Sequence, residues 1–579
     1  MPESLDVLLK NLEATKGHYD KNAASETKSL LDRLSSHNFA DPNSVLRFHE
    51  ALLFLRAFPQ SRTVVTQAEK ILNTFHERIE RLKATGPDME VFDDFETSGL
   101  AGTTMQDTLS FEAARWLARR IPREVEIAWA DYEEERAMGS TWPRFIPLLE
   151  EDADVEANIP WRRWLDAARG RERDLEFLIR RFEQLPITPR ERAELYDCLR
   201  LPLRWHLKNL KLSRTRNWAR PRKLFLHSEP LITRSQVSLA HELAKPAPRL
   251  SKLSRPEGES IMNLIREVMV VRYRELYGTT LGDPASVVRT DMGRGVVMYF
   301  WNLPPKRRLP LRAYVAGFSL KNGVPINYIE AIGLCEWIEV GFNTFYTYRQ
   351  GETAWIYAQA LRCLHVFTGA TTISVYPYQI GQNNDEALDS GAFWFYRKMG
   401  FRSGNPELEK LARREEQKIA ANPKHRTPKK TLKLLADAHV FYEMNRAAKF
   451  ATAAASEAPP GPWDTFSTRT LALRVNRRMA REFQGDATKL RQESVKQITL
   501  TLRINVSNWT QAARLALENW SLILALIPDL ETWSAREKRD LTKIIQFQAA
   551  PNEMQYLRRT QKHPRLRKEL LRLGSILDR

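Results

Sequence analysis

Three groups of residues in the middle of this 579-residue chain have types and spacing suited to chemistry. The first is the aromatic run DSGAFWFYRKMGF from Asp389 to Phe401, where Tyr396 carries a phenol beside Phe393, Trp394 and Phe395. A phenol held in a dry site can hand a proton to a departing anion. The same cluster would also bury well with no reaction to run. The second group is a set of strand carboxylates, Glu330, Glu336 and Glu339. Three residues apart, Glu336 and Glu339 point to opposite faces of a regular strand, so one can face a cleft while the other meets solvent. A bulge would reverse that parity. Glu339 shares a face with Trp337 and Phe345, and a half-buried setting there would raise its pKa toward that of a useful base. Glu330, on the preceding strand, is the reserve. All three also fit as surface strand residues. The third group is the turn Arg349, Gln350, Gly351, Glu352, Thr353 and Ala354. The free N–H groups and dipole of a helix start seat anions such as phosphate. A plain helix start, with Glu352 favouring the dipole, is the competing reading.

The elements that must position these groups follow from periodicity. Glu259–Tyr277 reads as an amphipathic helix stopped by Gly278. Strand character begins at Gly295–Leu303 and continues through Leu311–Leu320. Asn322-Gly323 supplies a tight hairpin turn, and Val324–Ile332 returns. Glu336–Tyr348 reads as a long strand, then a helix runs from Gly351 to about Phe367, closed by Gly369. Thr371–Tyr376 is a short strand. Before this region, residues 1 to about 250 read almost entirely as helix, in segments such as Val64–Lys83 and Ser110–Ala137, and Lys245–Pro256 is the best linker candidate. After it, Leu408–Ala421, Thr431–Lys449 and Tyr556–Arg579 read as helices around a Pro-rich loop at Pro459. The expectation is a multidomain α+β chain. Its parts are a helical domain over 1–250, a mixed α/β domain over 257–405 and a basic helical region over 406–579.

The closing run resembles the last helix of GNAT-type acyl-CoA N-acyltransferases, which usually reads Asn-x-x-Ala-Ile-x-Leu-Tyr-x-Lys-Leu-Gly-Phe. Ala392, Phe395, Tyr396, Lys398, Gly400 and Phe401 fall in register, and Asp389 replaces the Asn. The resemblance covers about Glu259 to Arg402, a quarter of the chain. It implies a GNAT-like central fold and transfer of an acyl group, acetyl first, from acyl-CoA to an amine. It implies Tyr396 as proton donor to the thiolate, with Glu339 or Glu336 as base. Arg349 to Ala354 and Asp389 would serve the cofactor. The family signature at the turn, Gln/Arg-x-x-Gly-x-Gly/Ala, meets Tyr348 at its first position and Thr353 at its last. After Gly400-Phe401 the family adds one or two strands, whereas periodicity here predicts helix from Leu408.

Charge and composition bound the remaining possibilities. The net charge is +18, and residues 406–579 hold 33 Lys and Arg against 19 Asp and Glu. Arg200 to His227 contains no acid at all and interleaves Trp205 and Trp218, a pattern suited to gripping phosphates and stacking bases. A solvated basic face or a contact with an acidic partner fits equally, because charge alone selects no partner. Three separated cysteines and eleven scattered histidines give no metal-ligand spacing and suit a reducing, cytoplasmic setting. Leu522 to Pro528, the longest apolar stretch, is too short to span a membrane. P-loop, GxSxG and HExxH signatures are absent. The rival to an acyltransferase is a non-catalytic nucleic-acid-binding or scaffold protein that keeps a degenerate GNAT-like core. A purely structural helical assembly factor is the third reading.

Overall fold

The computed structural model describes residues 3–146, 160–208, 210–445 and 460–575. The end of the expected Thr431–Lys449 helix, much of the loop at Pro459 and the last residues of the tail lie outside them. Within them the chain is mixed α/β, a central sheet with helical flanks.

The flank before the sheet is not helical throughout. Strands β1 (Thr104–Thr108), β2 (Val125–Ile127) and β3 (Pro202–His206) form a small antiparallel sheet with β3 in the middle. The helix expected over Ser110–Ala137 stops at Arg120, because the next residue, Ile121, precedes a proline and leaves the helical region. β3 alternates buried Leu203 and Trp205 with outward Arg204 and His206. Trp205, only 2% exposed, therefore anchors a core and is not free to stack a base. Arg214, from the same basic stretch, is buried against Glu50. Residues 1–250 also divide between two cores. Helices from Leu5 to Ala84 share the core of the central sheet, while residues 105–212 build a second core.

The central sheet has nine strands: β4 (Ser251–Lys252), β5 (Val288–Gly293), β6 (Val296–Asn302), β7 (Ala313–Lys321), β8 (Val324–Leu334), β9 (Trp337–Thr344), β10 (Thr372–Val375), β11 (Arg402–Ser403) and β12 (Val440–Glu443). Their spatial order is β11-β12-β10-β9-β8-β7-β6-β5-β4, antiparallel except for the parallel pair β9 and β10. Asn322 and Gly323 both take positive φ, 49° and 78°, as the β7–β8 hairpin requires. Asn322 is buried and its amide donates to the carbonyls of Ala57 and Phe225, which ties the hairpin tip to the N-terminal flank. The linker expected at Lys245–Pro256 instead contributes β4 and the start of the Arg255–Val270 helix.

Two strands follow Phe401: β11 comes just before the Pro406–Ala421 helix, and β12 falls inside the expected Thr431–Lys449 helix. β12 adds antiparallel to β10, and β11 adds to β12. A boundary at 406 therefore cuts through the sheet. Val440–Glu443 reads as part of an amphipathic run, and its strand state depends on β10, some 70 residues away.

Register and pleat assign the two faces. Phe342, on β9, meets Tyr357 of the Thr353–Thr368 helix, so the face of β9 that carries Ile338, Val340 and Phe342 packs beneath that helix. The Glu553–Gln561 helix covers the same face, with Leu557 over Gly333. Tyr314, Glu330, Glu339, Gly341 and Asn343 lie on the opposite face. No described helix is long and apolar enough to cross a membrane.

Candidate functional site

The ladder between β9 and β10 pairs Trp337 with Thr372, Ile338 with Ile373 and Glu339 with Ser374, and there it ends. β9 runs on to Thr344, while the chain after Val375 turns into the 3-10 helix Pro377–Ile380. Proline lacks the N–H that would continue the ladder. The strands part, and their open edge borders a cleft of about 490 Å³ that reaches Phe342, Thr344, Gly351, Ala354, Gln379 and Tyr396.

Tyr396 enters the cleft from the Ala392–Lys398 helix, which starts at Gly391 in the left-handed conformation (φ 68°). Its ring meets Tyr357 and Phe401 edge-on, each at 5.7 Å. The residue is 4% exposed, and burial pushes its hydroxyl well above the ordinary phenol range. It therefore stays protonated, as a donor must. The neighbouring Tyr357 hydroxyl is buried with no partner among the described residues.

The turn before the Thr353–Thr368 helix splits the expected phosphate group. Arg349, Gln350, Gly351, Thr353 and Ala354 line the cleft. The first helical bond runs from the Ile356 N–H to the Glu352 carbonyl. The N–H groups of Thr353, Ala354 and Trp355 precede it and are the orphan donors of a helix start. Glu352 is turned away. Its fully buried carboxylate bonds Lys321 at 3.0 Å and Arg294, and accepts the Ile232 N–H at 3.3 Å. Burial raises its pKa, but the Lys321 and Arg294 cations outweigh that and hold it below the usual range. Among the described residues, the one acid that lines the cleft, Glu386, is paired with Arg349. Arg349 is itself neutralised, by Glu96 at 3.1 Å and Glu386 at 2.6 Å. Gly351 is glycine for a packing reason, since a β-carbon would lie 2.5 Å from the Phe58 ring. Asp389 does not reach the cleft; it is two-thirds exposed and pairs with Lys429 at 3.0 Å.

The carboxylates separate clearly. Glu336 precedes β9 at the end away from the cleft. It binds Arg567 (2.7 Å to Nε) and the Trp463 indole N–H (2.7 Å), a clasp for the C-terminal helices. Glu339 sits at the last paired position and contacts His439 at 2.9 Å and Arg312 at 3.6 Å. Burial raises its pKa, but the His439 bond and the Arg312 charge hold it below the ordinary value. Glu330 faces Gly341 across the β8–β9 ladder and accepts a hydrogen bond from the Tyr314 hydroxyl. It has no ion pair among the described residues, and burial raises its pKa to about 7. The reserve residue thus has the proton affinity of a base working at neutral pH.

Sequence reading missed His439 and Gln379. His439 looks like an ordinary isolated histidine, and only the strand that follows it carries it to Glu339. Gln379 lies 3.8 Å from the space a β-carbon on Gly341 would fill, so it stands between the cleft and the Glu330 face. The described residues hold no cluster of His, Cys, Asp and Glu that could bind a metal ion.

Chemically, the cleft has a protonated phenol in its wall and free helix N–H groups at one end, while the near-neutral carboxyl of Glu330 lies on the neighbouring strand β8, outside the cleft lining. Comparison with protein-family models, curated proteins and solved structures finds no match to this chain.

Proposed function

We propose that the chain is an acyltransferase that moves an acyl group, acetyl in the simplest case, from acyl-CoA to an amine. The observation that carries this reading is the parting of β9 and β10 beyond Glu339 and Ser374, with Tyr396 lining the cleft that opens there. Support also comes from the succession of hairpin, strand, helix, parallel strand, helix and two further strands. That is the order implied by the resemblance to GNAT-type enzymes.

In this reading the thioester lies in the gap, and the N–H groups of Thr353 and Ala354 meet the pyrophosphate. Glu330 takes one proton from the acceptor's ammonium. The free amine attacks the thioester carbonyl carbon, a C–N bond forms and the C–S bond breaks. The thiolate leaves with the Tyr396 proton, and the proton shed by the new amide nitrogen restores the phenol. Glu339, paired with His439, stays ionised at the apex of the gap and orients the acceptor.

The second reading is a non-catalytic nucleic-acid-binding or scaffold protein. Phe58 packing explains Gly351, and Glu96 with Glu386 explains Arg349, both without a nucleotide. Arg536, Arg539 and Lys543 also fall on one face of the Ala535–Gln548 helix, all exposed. Incubation with acetyl-CoA and a panel of amines, read by thiol release, tests the choice. Amine-dependent release that Tyr396→Phe suppresses supports acyl transfer. No release, with salt-sensitive binding of a labelled oligonucleotide, supports the second reading.

A further inference from the structure

A second cavity, also of about 490 Å³, opens beside the segment that leads into β7. Its other walls come from the helices Thr468–Phe483, Ala487–Leu502 and Gln511–Leu524. Its surface is mostly aliphatic, with Val475, Met479 and Leu522 half-buried over a floor that includes Leu471, Leu490 and Ile523, and with Thr468, Asn476 and Asn519 as its neutral polar members. No Asp or Glu among the described residues lines it. The two charged residues on it are both arginines, Arg312 and Arg491. Arg312 is engaged with Glu339 at 3.6 Å. Arg491 is exposed and has no ion pair among the described residues.

Size and charge narrow the occupant. One turn of α-helix, about 10 Å across and 5.4 Å long, displaces roughly 400 Å³. The cavity would hold little more than one turn, too short for the i, i+3, i+4, i+7 anchors by which an amphipathic helix binds a groove. A single extended aliphatic chain fits the volume and the apolar wall. An anionic end group complements Arg491 and meets no carboxylate. We propose that this groove binds a fatty acid, its chain along the Val475–Leu522 wall and its carboxylate at Arg491. The site is separate from the Tyr396 cleft, and its occupancy does not depend on the reaction proposed there.

Calorimetric titration of the full chain with octanoate, decanoate and dodecanoate, kept below their micellar range, tests this. One molecule should bind per chain, tightening about fourfold for each added methylene. Arg491→Glu should weaken binding at least tenfold, and dodecyltrimethylammonium should bind the wild type more weakly than dodecanoate. Ala472 and Ala487 line the groove from exposed rim positions, so Ala472→Trp and Ala487→Trp can fill it without rebuilding the core. Each should abolish binding while leaving the thermal melt unchanged. The proposal is overturned by absence of saturable binding, by affinity independent of chain length, or by undiminished binding in both tryptophan variants. Preference for the cationic amphiphile, or binding only of an acidic amphipathic peptide offered in parallel, would overturn it equally.

Discussion

Glu330 stands directly across the β8–β9 ladder from Gly341, whose missing side chain leaves open the space beside Gln379 at the cleft. Burial, with only the Tyr314 hydroxyl bonded to it, sets the carboxyl near pH 7. Acyl transfer should therefore rise with pH and level off above about 7. Glu330→Gln should flatten that limb and lower the rate by about 10²–10⁴, the usual worth of a general base. The stability sign is also fixed. The folded value lies above the ordinary 4.5, so the folded chain holds this proton more tightly than the unfolded chain. Its contribution is intact below pH 4.5 and is lost as pH rises through about 7. Thermal melts of Glu330→Gln should then show a gain over wild type at pH 8 and none at pH 4. An unchanged pH–rate profile in the variant would remove Glu330 as the base.

Tyr396 is packed by its ring, while its hydroxyl forms no hydrogen bond among the described residues. Tyr396→Phe should keep the fold within about 0.5 kcal/mol of wild type, because no partner is left behind. Acetyl-CoA affinity should be unchanged while kcat falls about 10²–10⁴. Parallel loss of kcat and affinity would mark the residue as structural.

Gly351 separates packing from phosphate binding. Gly351→Ala drives a methyl group to 2.5 Å from the Phe58 ring and should cost about 1–3 kcal/mol in chemical denaturation. Adding Phe58→Leu should recover part of that loss. If the double variant still binds acetyl-CoA, the seat is made by the Thr353 and Ala354 N–H groups. If it does not, the glycine backbone itself is needed.

Lys321 and Glu352 form a buried pair at 3.0 Å directly behind the cleft. Glu352→Gln leaves the buried Lys321 without its carboxylate and should cost about 3–5 kcal/mol, whereas Lys321→Met leaves Glu352 paired with Arg294 and should cost less. The double change should cost less than the sum of the two. Strict additivity in a double-mutant cycle would contradict the pairing.

Much of the frame was legible locally. Asn322-Gly323 announced its hairpin by turn chemistry, and Gly369 closed its helix with the expected left-handed φ of 78°. Glu339 does lie within β9, whereas Glu336 falls in the turn before it, where the parity of a regular strand no longer applies. What stayed hidden depends on distant partners. VFYE at Val440–Glu443 has no pattern that distinguishes strand from helix, and β10 decides it. His439 reaches Glu339 only through that strand. Glu352 carries a negative charge at a helix start in sequence, whereas Lys321 and Arg294, far away in the chain, draw it inward. Glu330 ranked below Glu339 because cross-strand Gly341 and the absence of a cation beside it are visible only in three dimensions.

Hydrogen–deuterium exchange with and without saturating acetyl-CoA reads the central claim most directly, since it locates the ligand on the backbone. Protection concentrated at Phe342–Thr344, at the Thr353–Trp355 amides and on the Ala392–Lys398 helix is the expected result. Saturable binding that protects other segments and leaves these unchanged, or no protection at millimolar ligand, would contradict an acyl-CoA site between β9 and β10.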